Sequence, residues 1–326
     1  MGGILKIVKV ALILGVCCFL GMKGSDAQQL PQFSQYMFNG LHINPAYAGY
    51  KGEHYLQSTY RSQWVDFPGA PKTFTATGDF SANEGRMGFG ASFMTDQFGP
   101  AKTNAFMGSY AYRIQTGEDS YLGLGASAGA IEYAIDGTFF NPGDLDDPDV
   151  PQGVLNAFTP NLNTGVFFHT SRFYAGVSAF NLVGRKTLED EGLALAYHNL
   201  HYYVTMGGLF PLSDKVQFKP SFLVRHSDTG PTNLDLNGMV LFVERIWVGA
   251  SYRTNVKVNT GLPENLSSRN ALSFILELFA MDNLRLGYAY DLQNNVLSGL
   301  RNNSHELSVG YYITPRKVNM INPRWF

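Results

Sequence analysis

From about Glu53 onward, hydrophobic and polar positions alternate with a period of two. In one stretch Met87, Phe89, Ala91 and Phe93 share a face opposite Arg86, Gly88, Gly90, Ser92 and Asp96. Further on, Val216, Phe218, Phe222 and Val224 oppose Lys215, Gln217, Lys219, Ser221 and Arg225. Leu284, Leu286, Tyr288 and Tyr290 likewise oppose Asn283, Arg285, Gly287 and Asp291. Ile246, Val248, Ala250 and Tyr252 oppose Arg245, Gly249, Ser251 and Arg253, with Trp247 breaking the polar set. Successive side chains of a strand point to opposite faces, so this pattern predicts strands with one apolar face and one polar or small face. Fourteen are predicted, near 53–62, 71–80, 86–96, 102–114, 120–133, 158–169, 172–181, 197–210, 215–227, 231–243, 245–254, 268–280, 283–291 and 304–314.

A soluble sandwich shares that period, and two features count against it. The predicted strands run to about 10–13 residues, beyond the usual 5–6 and long enough for a tilted bilayer crossing. Their connections also sort by length. Those after the second, fourth, sixth, eighth, tenth and twelfth strands are short, whereas 134–157, 182–196, 255–267 and 292–303 are long. Short turns at one end and long loops at the other predict an all-β fold, a transmembrane antiparallel outer-membrane β-barrel. Its apolar faces would meet lipid and carry aromatic girdles, and its polar faces would line a wet interior.

Residues 28–52 do not alternate. Phe33, Tyr36, Met37 and Leu41 have near-helical spacing, which Asn44-Pro45 interrupts. Irregular backbone cannot face lipid, so this stretch is expected in the periplasm or inside the lumen as a plug. Its density of aromatic residues favours packing over a free tail.

The same residues carry a resemblance. Pro31-Gln32-Phe33-Ser34-Gln35-Tyr36-Met37-Phe38-Asn39 and Ile43-Asn44-Pro45-Ala46-Tyr47-Ala48-Gly49 resemble the opening signature of the PorP/SprF family. Tyr60-Arg61-Ser62-Gln63-Trp64-Val65 with Gly69-Ala70-Pro71-Lys72-Thr73 resembles its next block. Gly287-Tyr288-Ala289-Tyr290-Asp291, Gly299 and Ser304-His305-Glu306-Leu307 resemble its closing hairpin. The chain departs from such barrels by continuing through Thr314–Phe326. The resemblance implies an outer-membrane component of the type IX secretion and gliding machinery of Bacteroidetes. It further implies two partners, a secreted adhesin with a C-terminal sorting domain and a periplasmic lipoprotein ring. The bilayer and lipopolysaccharide would surround the barrel.

The first 27 residues read as a signal peptide. Lys6 and Lys9 precede the apolar run Val10–Gly21, and Ser25-Asp26-Ala27 offers a cleavage site before Gln28. The run is short for a membrane-spanning helix, and Val16 before Cys17 does not suit a lipoprotein signal. Both cysteines fall in this leader, which leaves neither a disulfide framework nor a cysteine metal site. The domains expected are thus the leader (1–27), the plug segment (28–52), the barrel (53–314) and a periplasmic tail (315–326).

A net charge of −2 supplies no basic field for nucleic acid. No cofactor motif, nucleophile elbow or catalytic carboxylate pair is present, so no enzyme is expected. His198 and His201 would point to opposite faces of a strand and cannot share a metal. Asp144, Asp146, Asp147 and Asp149 faintly suggest a calcium loop, but a solvated acidic loop is favoured.

Two sets of candidate residues remain. Phe33, Tyr36, Phe38, Asn44, Pro45, Tyr47, Arg61, Trp64, Pro71 and Lys72 are the candidate partner contacts, since aromatic residues and Arg dominate binding hot spots. Arg113, Lys215, Lys219, Arg225, Arg245, Arg253 and Arg285 are expected in the lumen with Asp96, Asp235, Asp291 and Glu306 as partners. The favoured function is binding or anchoring of secreted adhesins. The alternatives are a plugged transporter barrel for small hydrophobic or polar solutes and a soluble β-rich adhesin.

Overall fold

The computed structural model describes residues 30–139, 153–183, 199–227, 230–256, 258, 270–294 and 303–313. The expected leader, the acidic loop Asp144–Asp149, His198 and the expected tail 315–326 lie outside them.

The alternating residues form strands β1 (His54–Ser62), β2 (Lys72–Ala82), β3 (Met87–Phe98), β4 (Ala101–Gly117), β5 (Ser120–Asp136), β6 (Val154–Thr170) and β7 (Phe173–Phe180). The second half supplies β8 (His201–Gly208), β9 (Phe210–Ser213), β10 (Val216–Ser227), β11 (Thr232–Phe242), β12 (Ile246–Val256), β13 (Asn270–Phe279), β14 (Leu284–Asn294) and β15 (Ser304–Ile313). Strands β8 and β9 flank Leu209 and both pair with β10, so they form one interrupted stave. Each stave pairs antiparallel with its sequence neighbour, and β1 closes the ring on β15 from His54↔Ile313 to Ser62↔His305. The result is a closed fourteen-strand barrel with no free sheet edge to satisfy.

The two faces separate as the alternation requires. On β1, Tyr55, Gln57, Thr59 and Arg61 are buried inward, while Leu56 and Tyr60 are exposed outward. On β2, Thr73, Thr75, Thr77 and Asp79 point in and Phe74 points out. The outer wall carries Phe89, Phe106, Val166, Val204, Leu236, Phe274, Leu307 and Val309. Hydrocarbon covers such a belt at a gain of about 1.5–3 kcal/mol for each large side chain. Trp247, out of step in the sequence pattern, lies on the inner face with 1% of its surface exposed.

Strands β4, β5 and β6 each run for 17 residues, longer than predicted. The β5–β6 hairpin rises past β7, which pairs only with Thr164–His169 of β6. Tight turns such as Asn83–Arg86 and Val243–Arg245 mark one end of the barrel. The other end carries the long connections, and these two ends are called the turn side and the loop side below.

Leu30 to Glu53 precede the wall. In place of the near-helical stretch suggested by the spacing of Phe33, Tyr36, Met37 and Leu41, three separate 3₁₀ turns form: Tyr36–Phe38, Gly40–His42 and Pro45–Tyr47. Asn39 leaves helical geometry between the first two, at φ −136° and ψ 77°. Asn44 is extended, as the residue before a proline must be, and its Oδ1 accepts from the Ala46 N–H to cap the third turn.

Candidate functional site

The N-terminal segment lies against the inner wall, and its hydrogen bonds trace a path across the barrel. It begins near the loop side, where the Phe33 carbonyl accepts from Arg253 at 3.4 Å. The Ser34 and Gln35 N–H groups then donate to the two oxygens of the Glu306 carboxylate, each at 2.9 Å. Ser34 Oγ donates to Asp291 at 2.7 Å. Arg61 bridges both acids, at 2.9 Å to Glu306 and 2.5 Å to Asp291. Each group in this cluster is buried, so each charge depends on its partners.

A second loop-side cluster sits beside it. Asp235 accepts from Arg225 at 2.6 Å and from Arg253 at 2.9 Å. Asn237 donates to the Tyr36 hydroxyl at 2.5 Å. Arg61, Arg225 and Arg253 thereby balance Asp235, Asp291 and Glu306, leaving the two clusters together neutral.

The chain next descends toward the turn side at Phe38 and rises again. Asn39 donates to Thr77 at 2.9 Å, and the Ile43 carbonyl accepts from Ser178. The Asn44 side-chain amide donates to the Val166 carbonyl at 2.9 Å. The segment then returns past Tyr47 and Tyr50, whose rings pack on each other and on Phe167 at 4.7–5.0 Å. The Ala48 carbonyl accepts from Arg113, and the Gly49 N–H donates to Asp79. The Lys51 ammonium donates to the Phe38 carbonyl at 2.8 Å and lies 3.6 Å from the centre of the Tyr55 ring.

Glycines in the wall make this approach possible. A methyl group at Gly125 would run into the Ala46 backbone, and one at Gly88 would run into the Ala48 carbonyl. The small polar face seen in the sequence is therefore partly a bed shaped to the segment. Within the segment, burial lowers the His42 imidazole to about 4. Burial, then the charge of Arg285, also holds the Lys51 ammonium well below its usual range.

The candidate residues fall into three places. Phe33, Tyr36, Phe38, Asn44, Pro45 and Tyr47 are buried between segment and wall, so they do not form an open contact surface. Arg61 is buried in the ion-pair cluster. Trp64, Pro71 and Lys72 lie at the loop-side rim. There Gln63 donates to the Pro71 carbonyl at 3.0 Å, and Trp64 packs edge-on against Phe67 and Phe98.

Arg113, Lys219, Arg225, Arg253, Arg285, Asp235, Asp291 and Glu306 all project inward from their strands. Lys215 and Arg245 correct the expectation: both stand in exposed turn-side connections, and Arg245 pairs there with exposed Asp282 at 2.9 Å. Alternation in each case runs one residue past the strand end into the turn, where it no longer assigns a face. Asp96 is half-buried and accepts from Thr73 at 2.5 Å. Sequence reasoning missed Asp79 and Glu277, although both sit on the inward phase of their strands. It also missed Ser34, Gln35 and Lys51, whose partners lie hundreds of residues away or in a stretch without periodicity.

A family model described as type IX secretion system membrane protein PorP/SprF matches residues 25–311. No curated protein matches the sequence. Among solved structures, the chain is similar to the outer membrane protein Omp33 of Acinetobacter baumannii, at 9% identity and a TM-score of 0.47, over 80% of this chain and 98% of that one. It is also similar to a FadL homologue of Pseudomonas aeruginosa, at 14% identity and a TM-score of 0.47, over 86% and 94%. The KdgM porin aligns at 8% identity and a TM-score of 0.38, over 79% and 98%.

Proposed function

From the premise that the chain belongs to the PorP/SprF family of type IX secretion system membrane proteins, we propose that it binds or anchors secreted adhesins at the cell surface. The protein is an outer-membrane β-barrel of that machinery and works with its other components. The proposal goes further: the adhesin is held through its C-terminal sorting domain, and the contact is made at the loop-side rim. Residues 28–52 act in this reading as a plug, so the barrel serves as a receptor and not as an open pore. A periplasmic lipoprotein ring would meet the turn side.

The observation that carries the rim assignment is the aromatic cluster Trp64, Phe67 and Phe98 beside the loop-side start of the segment. Phe67 and Phe98 are 45% and 50% exposed. Large exposed aromatic side chains supply contact area at low entropic cost, which is what hot spots use. The buried contacts of the segment support the plug, because they occupy the inner wall that a solute would otherwise cross.

A reporter fused to a sorting domain should co-purify with the detergent-extracted barrel. The double change Trp64→Ala and Phe67→Asp should reduce recovery about tenfold or more, given that a central aromatic residue is worth roughly 2 kcal/mol. Equal recovery by the rim variant would reject the rim. Free release of the reporter from intact outer membranes would reject anchoring altogether. The competing transporter reading draws on the polar inner wall, and steady conductance by the unmodified barrel in a planar bilayer would favour it.

A further inference from the structure

We propose that the turn-side half of the interior holds a small monovalent anion, a carboxylate or a halide, against the Lys219 ammonium. This site goes beyond the adhesin reading and does not rest on it.

Lys219 projects inward from β10 with 1% of its surface exposed. Among the described residues it makes neither a hydrogen bond nor an ion pair. Its surroundings are rings: its nitrogen lies 5.7 Å from the centre of Trp247 and 5.8 Å from those of Phe38 and Tyr174. Aromatic faces offset part of the lost hydration of a cation, but they carry no counter-charge.

The carboxylates of this half are already engaged. Lys51, Arg113, Lys219 and Arg285 are its buried cations, while Asp79 and Glu277 are its buried acids. Asp79 accepts from Gly49, and Glu277 pairs with Arg285. The loop-side clusters are neutral, so the positive excess is confined to this region. Lys51 has the Phe38 carbonyl and the Tyr55 ring, which leaves Lys219 as the cation with nothing to answer it.

Two further buried donors stand open nearby. Trp247 Nε1 and Arg285 Nε have no hydrogen-bond partner among the described residues. The Arg285 guanidinium lies 5.1 Å from the centre of Phe38, and the Trp247 ring lies 6.1 Å from it. An ammonium, an indole N–H and a guanidinium N–H thus gather around one side chain of the N-terminal segment. A buried charge ordinarily has a partner, and an ammonium without a counter-charge, packed against an indole whose N–H is open, describes an anion site. A single negative charge of halide or carboxylate size beside Lys219 Nζ supplies the missing counter-charge and can accept from Trp247 Nε1, whose ring centre lies 5.7 Å from that nitrogen.

The competing way to relieve the burial is loss of the Lys219 proton, and one experiment separates the two. Crystals of the full chain in detergent, grown in sodium bromide, should show an anomalous peak within hydrogen-bonding reach of Lys219 Nζ. The peak should vanish in Lys219→Met and weaken in Trp247→Phe, which keeps the ammonium. If Lys219→Met does not yield a folded barrel, Trp247→Phe carries the test. Displacement of bromide by equimolar acetate identifies a carboxylate site, and its retention identifies a halide site. Absence of the peak, or a peak indifferent to Trp247→Phe, overturns the proposal.

Discussion

His42 shows how a single residue reports on the docking of the whole segment. It stacks on Phe33, with ring centres 4.9 Å apart, and burial alone depresses its imidazole to about 4. In an undocked segment the same group would protonate near 6.5. Between those pH values the undocked state binds more protons, so docking weakens as pH falls and is fully supported only above about 6.5. At pH 5 the loss is about 2 kcal/mol, or roughly a 30-fold rise in the open population. Deuterium exchange of Phe33–Tyr47, corrected for intrinsic chemistry, should accelerate roughly 20-fold between pH 7 and pH 5. His42→Phe should abolish the dependence, and an unchanged rate in the parent would show that the imidazole is not buried by docking.

At the scale of elements, the segment and the wall fit because the wall gives way at chosen points. Gly125 lies opposite Ala111 on β4 and Gly165 on β6, and the third 3₁₀ turn rests on it. Gly125→Val keeps the strand, since β-branched residues suit strands, but forces the turn away from the wall. Overpacking of this kind costs about 1–3 kcal/mol. Trypsin should then cut after Lys51 in the variant while the parent resists, with the barrel intact in both. Resistance in the variant would mean that the segment has another seat. The strands themselves were legible in the sequence to within a few residues, apart from the extra length of β4–β6 and the break at Leu209. That success has a local cause, because every outward Phe or Leu has inward neighbours one residue away. The segment was not legible in the same way. Its aromatic residues announced packing and Asn44-Pro45 announced a break, but the near-helical spacing ahead of that break did not reveal that Asn39 divides the stretch into two turns.

For the whole molecule, closure is the property on which the rest depends. The β1–β15 ladder joins the first strand to the last and leaves no sheet edge unpaired in the ring. An unheated detergent sample should run faster on a gel than a boiled one, because the closed barrel is compact and the opened chain is not. Identical migration before and after boiling would contradict a closed barrel.

Alternation, turn length and the opening signature determined that this chain is a barrel with a separate N-terminal segment, for these are properties of neighbouring residues. They also placed Asp291 and Glu306 on inward faces and offered Arg61 as a partner contact. That those three meet one another and two N–H groups of Ser34 and Gln35 was decided only by the tertiary structure. The same holds for Phe38, which the sequence offered as a partner contact and the fold buries between Lys219 and Arg285. The physical reason is that periodicity assigns a face and leaves open the partner across the barrel. A buried charge is defined by that partner, which the closing of the ring supplies.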